Sequence, residues 1–256
     1  MVHDPGRTSA SDPRPVIVFI HGSGDSGCSW SRIVERLPQH TCVALDLPGH
    51  GSQLEHPGPD VMSVGDYAGA VHALLAERDE WSSHAADGRG VCLVGHSLGS
   101  AIALRLAVDH PTLVSHLVLV GAGARLRVLP ALLKEARTQP DQVMRKLITL
   151  GLAPDHEAEA PHYFDALQPA APGVLHRDLS ACNEFDMMAE VGRITQPTLI
   201  VVGEADRLTP PKYAAFLHDH IAGAELRTIP KSGHYVPAEA PDALADALRD
   251  WLSKHA

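Results

Sequence analysis

Residues 91–111 read VCLVGHSLGSAIALRLAVDHP: an apolar run passes, with no linker, into a helical pattern. The junction between them is Gly95-His96-Ser97-Leu98-Gly99. The run is apolar continuously rather than at alternate positions, which describes a strand covered on both faces, as in a parallel sheet layered with helices. The unit recurs along the chain. Apolar runs at 15–22, 41–51, 90–97, 114–123, 197–206 and 224–234 alternate with helical patterns at 29–37, 64–77, 98–109, 211–220 and 241–254. The helix at 98–109 stops before His110-Pro111, as the backbone restriction before proline requires. The fold class is therefore α/β, a mostly parallel sheet with helices on both faces. Ligands of such sheets bind beyond the carboxyl ends of the strands. His21, Asp46, Ser97, Asp206 and His234 all fall at or just past those ends.

Two stretches depart from the alternation. Residues 122–194 carry helical patterns and prolines but no strand pattern, far more than a connection needs, and read as an inserted helical subdomain, a cap. Residues 1–15, MVHDPGRTSASDPRP, have no apolar segment and read as a flexible N-terminal tail without a signal peptide. The core is then 16–121 together with 195–256. A polar loop follows the helix at 64–77.

A polar serine between a buried strand and a helix needs a reason. A chain that turns at once from strand to helix forces its apex residue to a positive φ, and the residues two before and two after come close, so both must be small. Gly95 and Gly99 meet that demand, and the turn lifts the Ser97 hydroxyl clear of its own backbone. The helix start behind it offers free N–H groups and the positive end of a dipole to a forming anion.

Such a hydroxyl attacks only when a base takes its proton, and a histidine base needs a carboxylate to set its tautomer. His234 lies in the loop after the last run and Asp206 in the loop after the one before, in the chain order Ser, Asp, His. Glu204 is the rival acid, disfavoured because it sits too near the strand end to reach back. For the oxyanion, Leu98 supplies one N–H and Ser23, in the glycine-rich loop HGSGDSG, supplies the other. His21 and His96 read as bracing groups rather than bases.

Five motifs together resemble the α/β-hydrolase superfamily: HGSG (21–24), DLPGHG (46–51), GHSLG (95–99), GEADRLTP (203–210) and GHYVPAEAPD (233–242). The resemblance implies a sheet of about eight mostly parallel strands, a helical cap after the sixth, and no cofactor. It also implies that two short early strands escape the apolar pattern, one before Pro15 and one in the first loop. DLPGHG reads as a structural turn with no chemistry. Serine rather than aspartate at the apex points away from the dehalogenase and epoxide-hydrolase branches. The expected activity is that of a serine carboxylesterase acting through an acyl-enzyme on small to medium, largely apolar esters. A C–C bond hydrolase of ring-cleavage products or an enol-lactonase would use the same triad. A binding or receptor module would not need all three groups, and a non-hydrolytic lyase is more remote.

Substrate-contacting candidates are Trp30 near the oxyanion loop and, in the cap, Arg125 and Leu129 within a stretch that also holds Leu126, Arg127, Leu132 and Leu133. The arginines have two readings, contact with a substrate carboxylate or solvation on the surface. The net charge of −10 argues against nucleic acid or an anionic membrane as partner, leaving a small-molecule substrate. Cys28, Cys42, Cys92 and Cys182 show no metal-like or disulfide spacing, and the 17 histidines are scattered, so a cytoplasmic protein with no metal is expected. Oligomeric state is not encoded in any of these features.

Overall fold

The computed structural model describes residues 2–3, 14–76 and 90–255. Strands β1 (Val2–His3), β2 (Val16–Ile20), β3 (Cys42–Leu45), β4 (Val91–His96), β5 (Val114–Val120), β6 (Thr198–Gly203) and β7 (Glu225–Ile229) form one 7-stranded sheet in the order β1-β3-β2-β4-β5-β6-β7. β1 runs antiparallel to β3, and every other neighbouring pair is parallel. The expected count of about eight is thus seven among the described residues. β1 is the early strand before Pro15, too short to carry any periodicity in sequence. It also places part of the expected tail in the sheet; the rest of residues 1–15, apart from Arg14 and Pro15, lies outside the described residues, as does the expected polar loop over 77–89.

The continuous apolar runs divide residue by residue between two cores. Val16, Val18 and Ile20 face one side and Ile17 and Phe19 the other; Leu93 and Val94, Leu119 and Val120, Ile200 and Val201 repeat the split. Because successive side chains leave a strand on opposite faces, a strand buried on both sides has to be apolar throughout. Helices α1 (Ser31–Val34), α2 (Val64–Ala76) and α3 (Leu98–Asp109) belong to the first half of the sheet. The helix expected over 29–37 is a 3₁₀ turn, Gly27–Trp30, running into the short α1. At the start of α2, Ser63 and Asp66 cap reciprocally, Asp66 N–H donating to Ser63 Oγ at 3.1 Å and Ser63 N–H to Asp66 Oδ2 at 2.7 Å.

Between β5 and β6 lie α4 (Pro130–Ala136), α5 (Pro140–Gly151), α6 (Ala160–Asp165) and α7 (Val174–Glu184), with no strand longer than an isolated bridge. Their apolar faces build a third, smaller core around Val143, Met144, Ile148, Leu175 and Leu179, which Tyr235 joins from the main body. Helices α8 (Pro211–His220), α9 (Val236–Glu239) and α10 (Pro241–His255) complete the chain. No helix among the described residues is long and apolar enough to cross a membrane.

Candidate active site

Ser97 sits between β4 and α3 at φ 53° and ψ −116°. The flanking glycines are required by contact. A Cβ on Gly95 would lie 2.2 Å from the carbonyl oxygen of Gly99, and a Cβ on Gly99 would lie 2.2 Å from the carbonyl oxygen of Ile20 in β2. The turn is thus wedged against its neighbouring strand as well as against itself. Ser100 Oγ donates to Gly95 O at 2.6 Å and Val120 O at 3.0 Å, and Ser97 N–H donates to Val120 O at 3.0 Å.

The parallel pairing of β6 and β7 brings their following loops together, with Ala205 N–H donating to Ser232 O at 2.9 Å. Asp206 and His234 meet there. His234 Nδ1 lies 2.9 Å from Asp206 Oδ2, with both side chains buried. Burial alone would raise the Asp206 pKa, but the charge and hydrogen bond of His234 and the donors of Thr209 hold it below the usual carboxylate range. Leu208 and Thr209 N–H groups donate to Asp206 Oδ1 at 2.9 and 2.8 Å, and Thr209 Oγ1 donates to Oδ2 at 2.8 Å. Every lone pair directed away from the imidazole is therefore occupied, which sets the carboxylate's orientation. Glu204 turns away and accepts from Lys231 N–H at 3.3 Å.

Two histidines brace this arrangement. His96 Nε2 donates to the carbonyl of His234 at 2.9 Å, and His21 Nδ1 donates to Gly22 O at 2.8 Å while its Nε2 accepts from Leu47 N–H at 3.0 Å. Burial, with neighbouring histidines adding to it, lowers both pKa values to about 3, so both rings are neutral near pH 7. The backbone around His234 is clasped as well. Glu239 accepts from Gly233 N–H and Tyr235 N–H, each at 2.9 Å, and from Ala153 N–H at 2.8 Å, while His234 N–H donates to Gly151 O at 2.7 Å. Arg207 donates to the carbonyls of Leu150, Thr149 and Leu152, covering the C-terminus of α5.

Ser97 and His234 open onto one cavity of about 310 Å³. Its floor adds Gly22, Ser23, His96 and Thr209; Leu126, Val128, Leu129, Leu132, Leu147 and Leu150 form an apolar wall from the segment between β5 and β6. The N–H groups of Ser23 and Leu98 have no acceptor among the described residues. Asp25 also lines the cavity, its pKa raised to about 6 by burial. Ser23 Oγ lies 3.6 Å from Cys182 Sγ, a thiol that burial pushes up to about 12.

The sequence-based candidates thus separate. Ser97, His234 and Ser23 line one cavity, with Asp206 hydrogen-bonded to His234 and Leu98 following Ser97 at the start of α3, and Leu129 is on the cavity wall, 65% exposed at its mouth. Trp30 is not on the lining: it is fully buried, packed on Phe19 and behind His96, because a large aromatic next to a sheet gains most from the core. Arg125 is not on it either. It lies over a second pocket with Lys212, Tyr213 and Met188 and pairs with Asp186 at 3.8 Å, whereas its neighbour Leu126 turns inward. Arg127 reaches the cavity, but its guanidinium serves the carbonyls of Leu126, Asn183 and Phe185. Thr209, Ser100 and Glu239 were not singled out from sequence. Each lies in or beside a motif, and a hydroxyl or carboxylate there is the only signal that sequence offers.

Known proteins resemble this chain in sequence and fold. The model of the alpha/beta hydrolase family matches residues 17–247. A pimeloyl-(acyl-carrier protein) methyl ester esterase of Neisseria meningitidis is 29% identical, over 96% of this chain and 96% of its own. An uncharacterized protein of Mycobacterium bovis is 30% identical over 93% of this chain and 75% of its own. Among solved structures, a thermophilic esterase is 33% identical with a TM-score of 0.71, covering 93% of this chain and 90% of that one. The enol-lactonase of Burkholderia xenovorans superposes with a TM-score of 0.82 at 21% identity, covering 94% and 92%, a likeness of fold. With a family match over nearly its whole length, this chain belongs to the alpha/beta hydrolase family.

Proposed function

We propose that this protein is a serine esterase that cleaves small to medium, largely apolar carboxylic esters through an acyl-enzyme. The observation that carries the reading is the His234–Asp206 hydrogen bond of 2.9 Å, opening onto the same cavity as a Ser97 held at φ 53°. Ser97 Oγ adds to the ester carbonyl carbon as His234 Nε2 takes the hydroxyl proton. The bond to the alcohol oxygen breaks, and His234 returns the proton to that oxygen. Water, deprotonated by the same ring, then adds to the acyl carbon and releases the acid with Ser97 restored. Asp206 keeps Nε2 directed at the hydroxyl and balances the imidazolium. Ser23 and Leu98 N–H groups receive the oxyanion of each tetrahedral intermediate.

The helical segment 122–194 acts as a cap that supplies the apolar wall, with Leu129 at its mouth, and so grades substrates by size. The identity to ester-cleaving relatives over nearly full length supports an ester rather than another bond. A cytoplasmic setting suits four free thiols, three of them buried.

The test is a fluorophosphonate probe with a panel of p-nitrophenyl esters from acetate to decanoate, an enol-lactone and a dienoic ring-cleavage product. Stoichiometric labelling on the peptide carrying Ser97, with highest kcat/KM on an ester of intermediate chain length, is expected. Labelling elsewhere, or turnover of the lactone or dienoate well above every ester, would refute the assignment.

A further inference from the structure

Away from Ser97, His234 and Asp206, a buried polar network joins the helical segment to the loop beside the nucleophile. Asp178, on α7, is fully buried, as are His50 and Tyr67, and Arg177 is 4% exposed. Three donors converge on the Asp178 carboxylate from three parts of the main body. Gly24 N–H and His50 Nε2 each reach Oδ2 at 3.0 Å, and Tyr67 OH donates to Oδ1. Arg177 Nε in turn donates to the Tyr67 oxygen at 2.8 Å, and its other nitrogens serve the carbonyls of Pro48, Pro57 and Pro59. Burial would raise the Asp178 pKa, but His50, Tyr67 and Gly24 keep it below the ordinary range, so the group is an anion.

The Gly24 contact bears on the site because of what lies next to it in the chain. Ser23 stands between Gly22 and Gly24, which has φ +67°, so neither neighbour has a side chain of its own to restrict the loop's backbone dihedrals. Polar anchors hold it instead. The peptide that carries the Ser23 N–H has the Gly22 carbonyl at its other end, and that oxygen accepts from His21 Nδ1 at 2.8 Å. The following peptide ends in the Gly24 N–H on Asp178. Peptide units are planar, so pinning both leaves Ser23 N–H one direction. His21 belongs to the main body, but Asp178 reaches in from α7.

We propose that Asp178 is a positioning residue of the active site: by holding the Gly24 N–H it fixes the direction of the Ser23 N–H donor. The inference rests on the esterase reading given above. It also assigns work to the DLPGHG motif, whose His50 orients the Asp178 carboxylate toward Gly24.

The experiment compares kcat and KM for p-nitrophenyl butyrate with the amide resonance of Gly24 in ¹⁵N-labelled protein. Removing one oxyanion donor outright costs about 10²–10³ in kcat, so misaiming one should cost about 10–100-fold. Asp178→Ala should lower kcat by that factor with KM within about twofold, and the Gly24 amide should shift and lose protection from solvent exchange. Asp178→Asn keeps an oxygen for Gly24 and turns its NH₂ to the Tyr67 oxygen, so kcat should return to within about threefold. Tyr67→Phe, which leaves the Gly24 contact in place, should do likewise. If Asp178→Ala does not fold, the combined variant His50→Phe, Tyr67→Phe, Asp178→Leu removes donors and acceptor together at similar volume and should show the same kcat loss. A folded acceptor-free variant with unchanged kcat or an unmoved Gly24 amide would overturn the proposal. So would a loss confined to KM, or a Tyr67→Phe defect equal to that of Asp178→Ala, which would mean the network is only scaffold. Turnover that survives Ser97→Ala would instead sink the esterase reading, while the Gly24 resonance still reports on Asp178 by itself.

Discussion

The turn that carries Ser97 and the loop that carries Ser23 border the same cavity, yet they are held by opposite means. Around Ser97 the glycines are there because nothing larger fits: a Cβ at Gly95 or Gly99 would sit 2.2 Å from a backbone oxygen. Around Ser23 a Cβ would first meet side-chain atoms rather than backbone, 3.1 Å from His96 Nδ1 at Gly22 and 3.0 Å from Leu175 Cδ1 at Gly24, and the loop's shape comes from polar groups, His21, Asp178 and, through Gly27 N–H at 2.7 Å, Asp46. One half is rigid by exclusion and the other by anchoring. Steric wedging is local in sequence and leaves a readable spacing, whereas anchoring draws on side chains at unrelated separations, from the adjacent His21 to Asp178 on α7, and leaves none.

The largest effect expected belongs to the wedged half. Ser97→Ala should fold normally and lose turnover by about 10⁶-fold, or to assay background, because the nucleophile acts as a unit with its base. Intact phosphonate labelling of that variant would break the comparison at its centre. Asp206→Asn should cost about 10³–10⁴-fold in kcat by admitting the wrong imidazole tautomer, with Glu204→Gln within about twofold of wild type. The reverse pattern in steady-state kinetics would show that the acid was assigned to the wrong strand end.

Stability sharpens the same contrast. Gly99→Ala drives a Cβ into the Ile20 carbonyl and should lose about 3 kcal/mol or more in urea denaturation. Gly173→Ala, at φ 83° with nothing within 4 Å, should lose only about 1 kcal/mol, the cost of the backbone conformation alone. Equal losses would mean that close contact is not what the turn demands.

The pH dependence draws on one histidine from each half. His21 and His96 have native pKa values of about 3, against about 6.5 in the unfolded chain. Below pH 6.5 the unfolded chain takes up protons that the native state refuses. The stability present above that pH therefore falls as pH drops toward 3, by up to about 1.4 kcal/mol per pH unit for each ring. Urea midpoints measured from pH 7 to pH 4 should fall accordingly. His96→Gln, which retains a donor for the His234 carbonyl, should flatten the slope by one ring's share, and an unchanged slope would deny that His96 is buried neutral. The smallest effect is expected at the mouth of the cavity. Leu129→Trp should shift the preferred acyl chain to shorter esters by a few-fold in kcat/KM, in line with the worth of a methylene or two in an apolar pocket, while leaving acetate turnover nearly constant. An equal loss on every ester would place the wall residue in the chemistry.

Which candidates were misplaced follows the same division. Trp30 follows the glycine-rich loop closely enough to be read as lining, but whether an aromatic turns to a core or to a cavity depends on the strand behind it, here Phe19 in β2. Arg125 and Leu126 are adjacent, and one faces out while the other faces in; with no regular element there, no periodicity distinguishes them. Glu239 and Arg207 lie within recognised motifs, but Arg207 serves carbonyls at the C-terminus of α5 and Glu239 accepts from Ala153 just past it, a helix end whose position the motifs do not encode.

By itself the sequence determined the layered α/β architecture, the strand-to-helix turn at Ser97 and the strand ends from which Asp206 and His234 project. These follow from short-range causes: the two-residue alternation of strand side chains, the 3.6-residue period of helices, and the crowding that admits only glycine two places either side of the apex. Tertiary structure alone decided the strand order, the pairing of Val2–His3 onto β3, the cavity wall, and the capture of the Gly24 backbone by Asp178. A buried carboxylate is tolerable only where several donors converge on it, and donors drawn from Gly24, His50 and Tyr67 converge only after the chain has folded.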